Sequence, residues 1–528
     1  MSVQVQVREV PDRWINPQPT ARTAFIGRAL RGPVNVPVAV QSFADFQQVF
    51  GGLWQPGPMG YAVEHFFDNG GGEALIVRVV NGARAATLTL PAGPESLMLQ
   101  ALRPGTREFL RAGVDYDNIP AGNTAEFNLT VQRVRTQGTL RIEDQEIFRA
   151  ISVLPGAERD LRAVLADSDL IRPCGATPTR RPDRTLDPVN GLATAYVSSN
   201  SDGDDGGPVT DYDVIGSGTE RTGIFALDQA EQFNFLCIPP VSREQDVGLC
   251  TLLVAARYCR QRRAILIIDP PGPWHTAEEA LRGMRDWHLA CEDAVMYFPR
   301  ILAHDKLRGR FETFAPCGAV AGLLSRCDGS APNGGAATAD EPILRPGYRP
   351  NCLVDPQRRA RLAALGVNTF QAVRASGQRE PRQRTLACGS ASQPEWKFLA
   401  ARRFALFVID SIERGTRWVA HADPQSDVAG LVEAQVRAFL EQLHHAGGFG
   451  GRSAEDAFFV ICDARVNPDL GPAAPLFHLL IGFAAERAGE FHAFRITHAP
   501  DASTVQAVTL NRLEIDAPQL RNRRFLPR

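Results

Sequence analysis

FNFLCIPP at 233–240, AILIIDPP at 264–271 and DAVMYF at 293–298 decide how this chain folds. Each is a short apolar run, the first two closed by prolines, and helix-like stretches at 246–262 and 277–290 separate them. Strands that read as unbroken apolar runs are buried on both faces, and helices between them supply the cover of a parallel sheet. The reading extends upstream. TAFIGRA from Thr23 is a strand, Ser42 caps a short helix FADFQQVF, and residues 61–69 form a second helix. The glycines at 70–72 then punctuate before a further strand, ALIVRVV.

Between these halves, residues 85–225 change character. Alternating segments, with Phe127, Leu129 and Val131 on one face, lie between Pro, Gly and Asp clusters, so the spacing predicts a β-rich insertion ending near the polar run SDGDDGGP at 201–208. Beyond about 381 comes an α+β region: a strand FALFVID, a helix over 427–445 with Val428, Leu431, Val432, Val436, Phe439, Leu440 and Leu443 on one face, and a strand AFFVICD. Gly447 and Gly448 end that helix.

Both termini read as extended arms, over 1–22 and 503–528. Val3, Val5 and Val7 alternate with polar residues as a half-buried strand would, but PDRWINPQPTAR follows with three prolines and no periodicity, so no hairpin partner is at hand. Near the other end Val505, Val508 and Leu510 belong to a second strand-like segment, TVQAVTLNRLEI. An unpaired strand is a ready partner for another subunit's sheet.

At 528 residues the chain is too long for one core. The segments divide it into an arm (1–22), the first part of an α/β domain (23–84), the insertion (85–225), the second part of the α/β domain (226–380), a carboxy-terminal domain (381–502) and a second arm (503–528). A net charge of −2 provides no basic field for nucleic acid, and no stretch is apolar enough for direct membrane insertion. The first residues do not read as a secretion signal, so assembly in the cytoplasm is expected. Ten cysteines are scattered without a CxxC pair, as in a reduced protein.

Several segments together resemble contractile tail sheath proteins of phages, R-type pyocins and extracellular injection systems. They are the run from TAFIGRALRGPVNVPVAVQSFADFQQVFGG to FFDNGGGEALIVRVV, FNFLCIPP with AILIIDPP, and YFPRILAHDKLRGRFETFAPCGAVAG. LAALGVNTFQAVRASGQREPRQRTLA, SQPEWKFLAARRFALFVIDSIERGTRWVAH, FLEQLHHAGGFGG and EDAFFVICDARVNP follow in order. The resemblance covers 23–82 and about 225–498, and leaves the insertion unmatched. It implies an open, mostly parallel sheet of the kind called subtilisin-like, an inner carboxy-terminal domain, and outward-facing insertions. It also implies a subunit that polymerises with itself as stacked rings around an inner tube protein, with baseplate and terminator or cap proteins at the ends, in a phage tail or a released particle. In such proteins a carboxy-terminal helix faces the tube through charged groups, which makes Glu433, Arg437 and Glu441 the tube-facing candidates.

Catalytic, cofactor and metal chemistry find little purchase. G-x-S-x-G and G-x-x-x-x-G-K-[ST] are absent, Lys306 and Lys397 being the chain's two lysines. Asp269 follows a parallel strand with His275 six residues on, but a turn aspartate and a surface histidine explain both. DGDDGGPVTDYD at 202–213 imitates a calcium loop, with Gly206 at its fifth position and Asp213 where a longer glutamate is usual. His444, His445, His492 and His498 lack ligand partners at metal spacing. No enzyme, cofactor or metal is therefore expected. A hydrolase retaining a subtilisin-like sheet and a single-ring tail adaptor are the competing readings, and unpaired strands at both ends argue against each.

Overall fold

The computed structural model describes residues 14–106, 109–137, 139–186, 195–199, 203–329, 343–370, 382–389, 396–421, 427–468, 476–508 and 524–525. Its first strand, β1 (Thr23–Gly27), becomes an inner strand of the main sheet because Thr23, Ala24, Phe25 and Ile26 are all buried. β2 (Val38–Val40) is an antiparallel edge strand, and α1 (Phe43–Phe50) starts where the Ser42 hydroxyl accepts from the Asp45 amide at 3.1 Å. α2 (Pro58–Asp68) leads into β3 (Ala74–Arg78), which is buried throughout and lies parallel to β1.

The insertion leaves from the end of β3. β4 (Ala85–Ala92), β5 (Glu95–Pro104) and the later β9 (Ile171–Cys174) form one sheet. β6 (Leu110–Asp115), β7 (Glu126–Gln137), β8 (Thr139–Ser152) and β10 (Val197–Ser198) form another, ordered β10-β6-β7-β8. A short α3 (Leu161–Ala166) covers the join. The two sheets share one apolar core that includes Leu88, Leu97, Phe127, Leu129 and Val131, so the alternation in this region did mark buried faces. The stem closes where Asn81 pairs with Gly207 and Arg84 with Asp204. Val209, Val214 on α4 (Asp211–Ile215) and Ile224 already belong to the α/β core, so the chain rejoins that domain well before residue 225.

β11 (Phe235–Cys237), α5 (Leu249–Arg262), β12 (Ile265–Ile268), α6 (Ala277–Gly283) and β13 (Ala294–Phe298) then repeat strand and helix. A side sheet of β14 (Ile301–Asp305), β15 (Arg310–Phe314) and β16 (Arg349–Pro350) follows, with α7 (Cys317–Gly329), α8 (Pro356–Ala364) and β17 (Val367–Thr369). The main sheet runs β17-β13-β12-β11-β1-β3-β2, parallel except for β2. Alternate residues of one strand feed different cores: Ala24 and Ile26 face one, Phe25 the other.

The carboxy-terminal region holds α9 (Leu399–Gly415), α10 (Val428–His445), α11 (Ala454–Ala457) and the antiparallel strands β18 (Phe458–Ile461), β19 (Phe477–Phe483), β20 (Glu490–His498) and β21 (Ser503–Val508), with β22 (Arg524–Phe525) pairing beside β20. FALFVID is a correction: it lies inside α9, not in a strand. The seven residues FALFVID carry one polar group, Asp410, and so read as an apolar strand, while the helical recurrence of Arg402, Arg403, Asp410, Glu413 and Arg414 shows only over the longer segment. The helix expected to reach 290 stops at Gly283, followed by turns.

Candidate functional site

α9 is where the parts of the chain meet. Its Arg402 donates to Asp293 at 2.7 Å and to Glu292 at 3.4 Å, while Arg263 from the end of α5 reaches Asp410 and Glu413 at 2.9 and 3.0 Å. Arg403 pairs with Asp328, and Arg414 with Glu231. Asp293, Asp410, Glu413 and Asp328 are largely removed from water, so each depends on its counter-charge, whereas Glu231 is exposed.

The amino-terminal linker lies on the same helix. Ile15 packs into the carboxy-terminal core against the notch at Gly415, where an added Cβ would stand 2.8 Å from Ile15 Cγ1. The Gln18 amide donates to Ser411 Oγ at 3.1 Å, and Arg403 donates to the Thr20 carbonyl at 3.3 Å. The arm is thus anchored as far back as Ile15, and its reach is shorter than 22 free residues would permit. Val3, Val5 and Val7 lie outside the described residues.

At the other end, Val505 and Val508 sit on β21, which pairs antiparallel with β20 from Ser503 to Val508. The expectation of a lone strand is corrected here, because the turn at 499–502, closed by the Ala499 amide to the Ala502 carbonyl, folds β21 back onto its own sheet. The signal was present in Pro500-Asp501 between two alternating segments. Leu510 lies outside the described residues.

His498 locks that strand down. Thr416 gives its hydroxyl proton to the Ile412 carbonyl, so His498 Nε2–H must be the donor to Thr416 Oγ1 at 2.8 Å, leaving Nδ1 to accept from Ser503 Oγ at 2.7 Å. Burial lowers the pKa of His498, in keeping with this neutral tautomer. Beside it a groove of about 630 Å³ follows β21, walled by Arg260, Arg263, Trp396 and Arg402. His492 stacks on Trp396 with centroids 3.9 Å apart, and burial with the nearby Arg402 cation lowers its pKa to about 4. Among the described residues β20 is the strand that pairs with β21.

On α10 the buried face carries Val432, Val436, Phe439, Leu440 and Leu443, and the opposite face carries Glu433, Arg437 and Glu441. The structure joins Glu433 to Arg437 at 2.9 Å, while Glu441 has no ion-pair partner among the described residues.

The residues considered for chemistry are engaged elsewhere. Asp269 is buried, accepts from the Cys317 amide at 2.7 Å and has its pKa raised by burial to about 6, whereas the exposed His275 amide caps α6 through Glu279. In the loop at 203–213, Asp204 pairs with Arg84, Asp205 accepts from Thr106, and Asp213 caps α4. Among the described residues no group of three His, Cys, Asp or Glu side chains is placed to hold a metal ion, and no helix is long and apolar enough to cross a membrane.

The site is therefore a groove along the outer strand of the carboxy-terminal sheet of a multidomain α/β chain. Compared whole, the fold is that of contractile tail sheath proteins. The sheath tail protein of Listeria innocua matches with a TM-score of 0.59 at 12% identity, over 94% of this chain and 97% of that one. The sheath tail protein of Desulfitobacterium hafniense matches with a TM-score of 0.50 at 11% identity, over 96% and 99%. The PVC sheath complex of an extracellular contractile injection system, in its contracted state, gives 0.50 at 14% identity over 93% and 95%. No family model and no curated protein matches the sequence.

Proposed function

We propose that this chain is the sheath subunit of a contractile injection system. Copies stack as rings around an inner tube, and the stack shortens to drive the tube through a target membrane. The observation that carries the reading is the fold match to a sheath tail protein over 94% of this chain and 97% of that one. The groove that follows β21 supports it, because an extended segment of a neighbouring subunit can lie along a sheet in such a groove. In this account Val3, Val5 and Val7 of one copy pair along the sheet that carries Val505 and Val508 of another. Glu433, Arg437 and Glu441 face the tube, and baseplate and terminator proteins close the ends. Assembly takes place in the cytoplasm, before the particle acts outside.

Each junction is modest, about 1 kcal/mol net per ladder hydrogen bond. Repeated in every subunit it becomes multivalent, and it stays connected while domains rotate past one another. Electron microscopy of the purified protein, alone and with its tube partner, is the test. Tubes or stacked rings are expected; a stable monomer at high concentration even with the tube protein sinks the proposal. Removing residues 2–10 is expected to abolish tubes while circular dichroism and thermal melting stay unchanged, since the described anchor begins only at Ile15.

A further inference from the structure

The insertion carries a strand edge that the sheath reading does not use. β8 is the last strand of the sheet β10-β6-β7-β8. Its later half is covered, with Ser152 bridged to Asp160 and the Glu146 carboxylate accepting from Ser168 Oγ and the Asp169 amide. Its earlier half, residues 140–145, pairs with β7 alone among the described residues. Leu140 and Ile142 on it are 51 and 47% exposed and Ile147 just beyond it 51%, an apolar face that folded proteins rarely leave on a strand edge.

The register shows which backbone groups are free. Val134, opposite Ile142, sends its amide away from β8 to the Phe109 carbonyl at 2.9 Å. Ile142 and Val134 are thus a non-hydrogen-bonded pair, and Ile142 turns its own N–H and C=O outward. Charge adds a direction. Glu143, the extra residue where the β7–β8 register shifts, pairs with Arg31 at 3.0 Å and lies 3.8 and 3.6 Å from Arg133 and Arg135, Asp144 pairs with Arg133 at 3.3 Å, and the exposed Arg141 makes no ion pair among the described residues.

We propose that this edge pairs antiparallel with the same edge of a second copy of the chain, centred on Ile142. A two-fold axis there sets Ile142 against its counterpart, and the two exchange N–H···O=C bonds. It also brings Arg141 alongside the partner's Glu143 and Glu143 alongside the partner's Arg141, so the sequence Arg-Ile-Glu complements itself. The contact does not rest on the sheath reading. If that reading holds, a closed two-fold contact cannot extend a polymer of one polarity, and this seam instead joins two polymers side by side.

The register makes the test specific. Ile142→Cys is oxidised with glutathione disulfide, two thiols giving one protein disulfide and two reduced glutathiones, and the dimer is read on a non-reducing gel against the parent protein with its ten native cysteines. Ile142→Cys is expected to give several-fold more dimer than the parent. Leu140→Cys and Ile147→Cys, equally exposed, are expected to stay at the parent level, since in this register neither meets its own copy. Equal cross-linking at all three positions would mean unspecific apolar contact, and cross-linking at none would mean no seam; either overturns the proposal. Ile142→Pro removes the outward N–H without touching the β7 ladder. Loss of self-association by sedimentation, with thermal melting unchanged, is expected, and undiminished association also overturns it.

Discussion

α7 and α9 are both buried helices, yet they are held in opposite ways. α7 lies on α2 by shape: a Cβ added at Gly318 would stand 1.9 Å from the Ala62 carbonyl oxygen, and one at Gly322 would stand 2.2 Å from that of Phe66. α9, which ties the carboxy-terminal domain to the α/β domain, is held by charge, through Arg402 with Asp293, Arg263 with Asp410 and Glu413, and Arg403 with Asp328. Contact by shape fails when anything is added. Contact by buried charge fails when one partner is taken away, and it survives when both are replaced together.

The largest effect should come from Gly318→Val, which has no room to relax because the obstructing atom is backbone. A loss above ~4 kcal/mol is expected, seen as insoluble protein or a collapsed urea midpoint. A near-normal midpoint would show that α7 slides freely on α2. Next, Arg402→Leu should cost ~3–5 kcal/mol by stranding Asp293, and Arg402→Leu with Asp293→Leu should recover most of it. A double variant as unstable as the single one would remove the distinction between the two helices.

A third prediction uses pH. His492 is held at about 4 by burial and by Arg402, below its ordinary 6.5, so below pH 6.5 the unfolded chain takes up a proton before the folded one does. Its contribution to stability is therefore whole above pH 6.5 and drains away as pH falls to about 4. His492→Phe, which keeps the stack on Trp396, should remove about 2 kcal/mol of the stability lost between pH 7 and pH 5. Chemical denaturation at the two pH values measures this, and an unchanged difference refutes it. The smallest effect belongs to Glu433→Ala on the surface of α10, ~0.3 kcal/mol in thermal or chemical melting. If this face meets the tube, the same change weakens assembly on the tube by more than this small loss in melting accounts for.

Much of the α/β domain was legible because its strands are continuous apolar runs bounded by proline and glycine. Thr23–Gly27, Ala74–Arg78, Phe235–Cys237, Ile265–Ile268 and Ala294–Phe298 all fall inside the expected segments. Ser42 announced α1 through its cap, and the Val436, Phe439, Leu440 and Leu443 stripe announced α10. α9 was missed because FALFVID by itself is an apolar run, and the contrast given by Arg402, Arg403, Asp410, Glu413 and Arg414 appears only when the whole of Leu399–Gly415 is read. The groove beside β21 could not be read either, since Arg260, Trp396, Arg402 and Val505 come from distant parts of the chain.

By itself the sequence determined which segments are strands of the central sheet and carried the resemblance to tail sheath proteins over 23–82 and about 225–498. These rest on local patterns of burial and turn residues, which neighbours in sequence carry. Only the tertiary structure decided that FALFVID is helical, that the linker is pinned from Ile15 onward, that β21 folds back onto β20, that the earlier half of β8 pairs with β7 alone among the described residues, and that Asp269 and His275 serve different structures. Each of these depends on which distant group satisfies a backbone edge or a buried charge, and that is settled by packing in space rather than by the residues alongside.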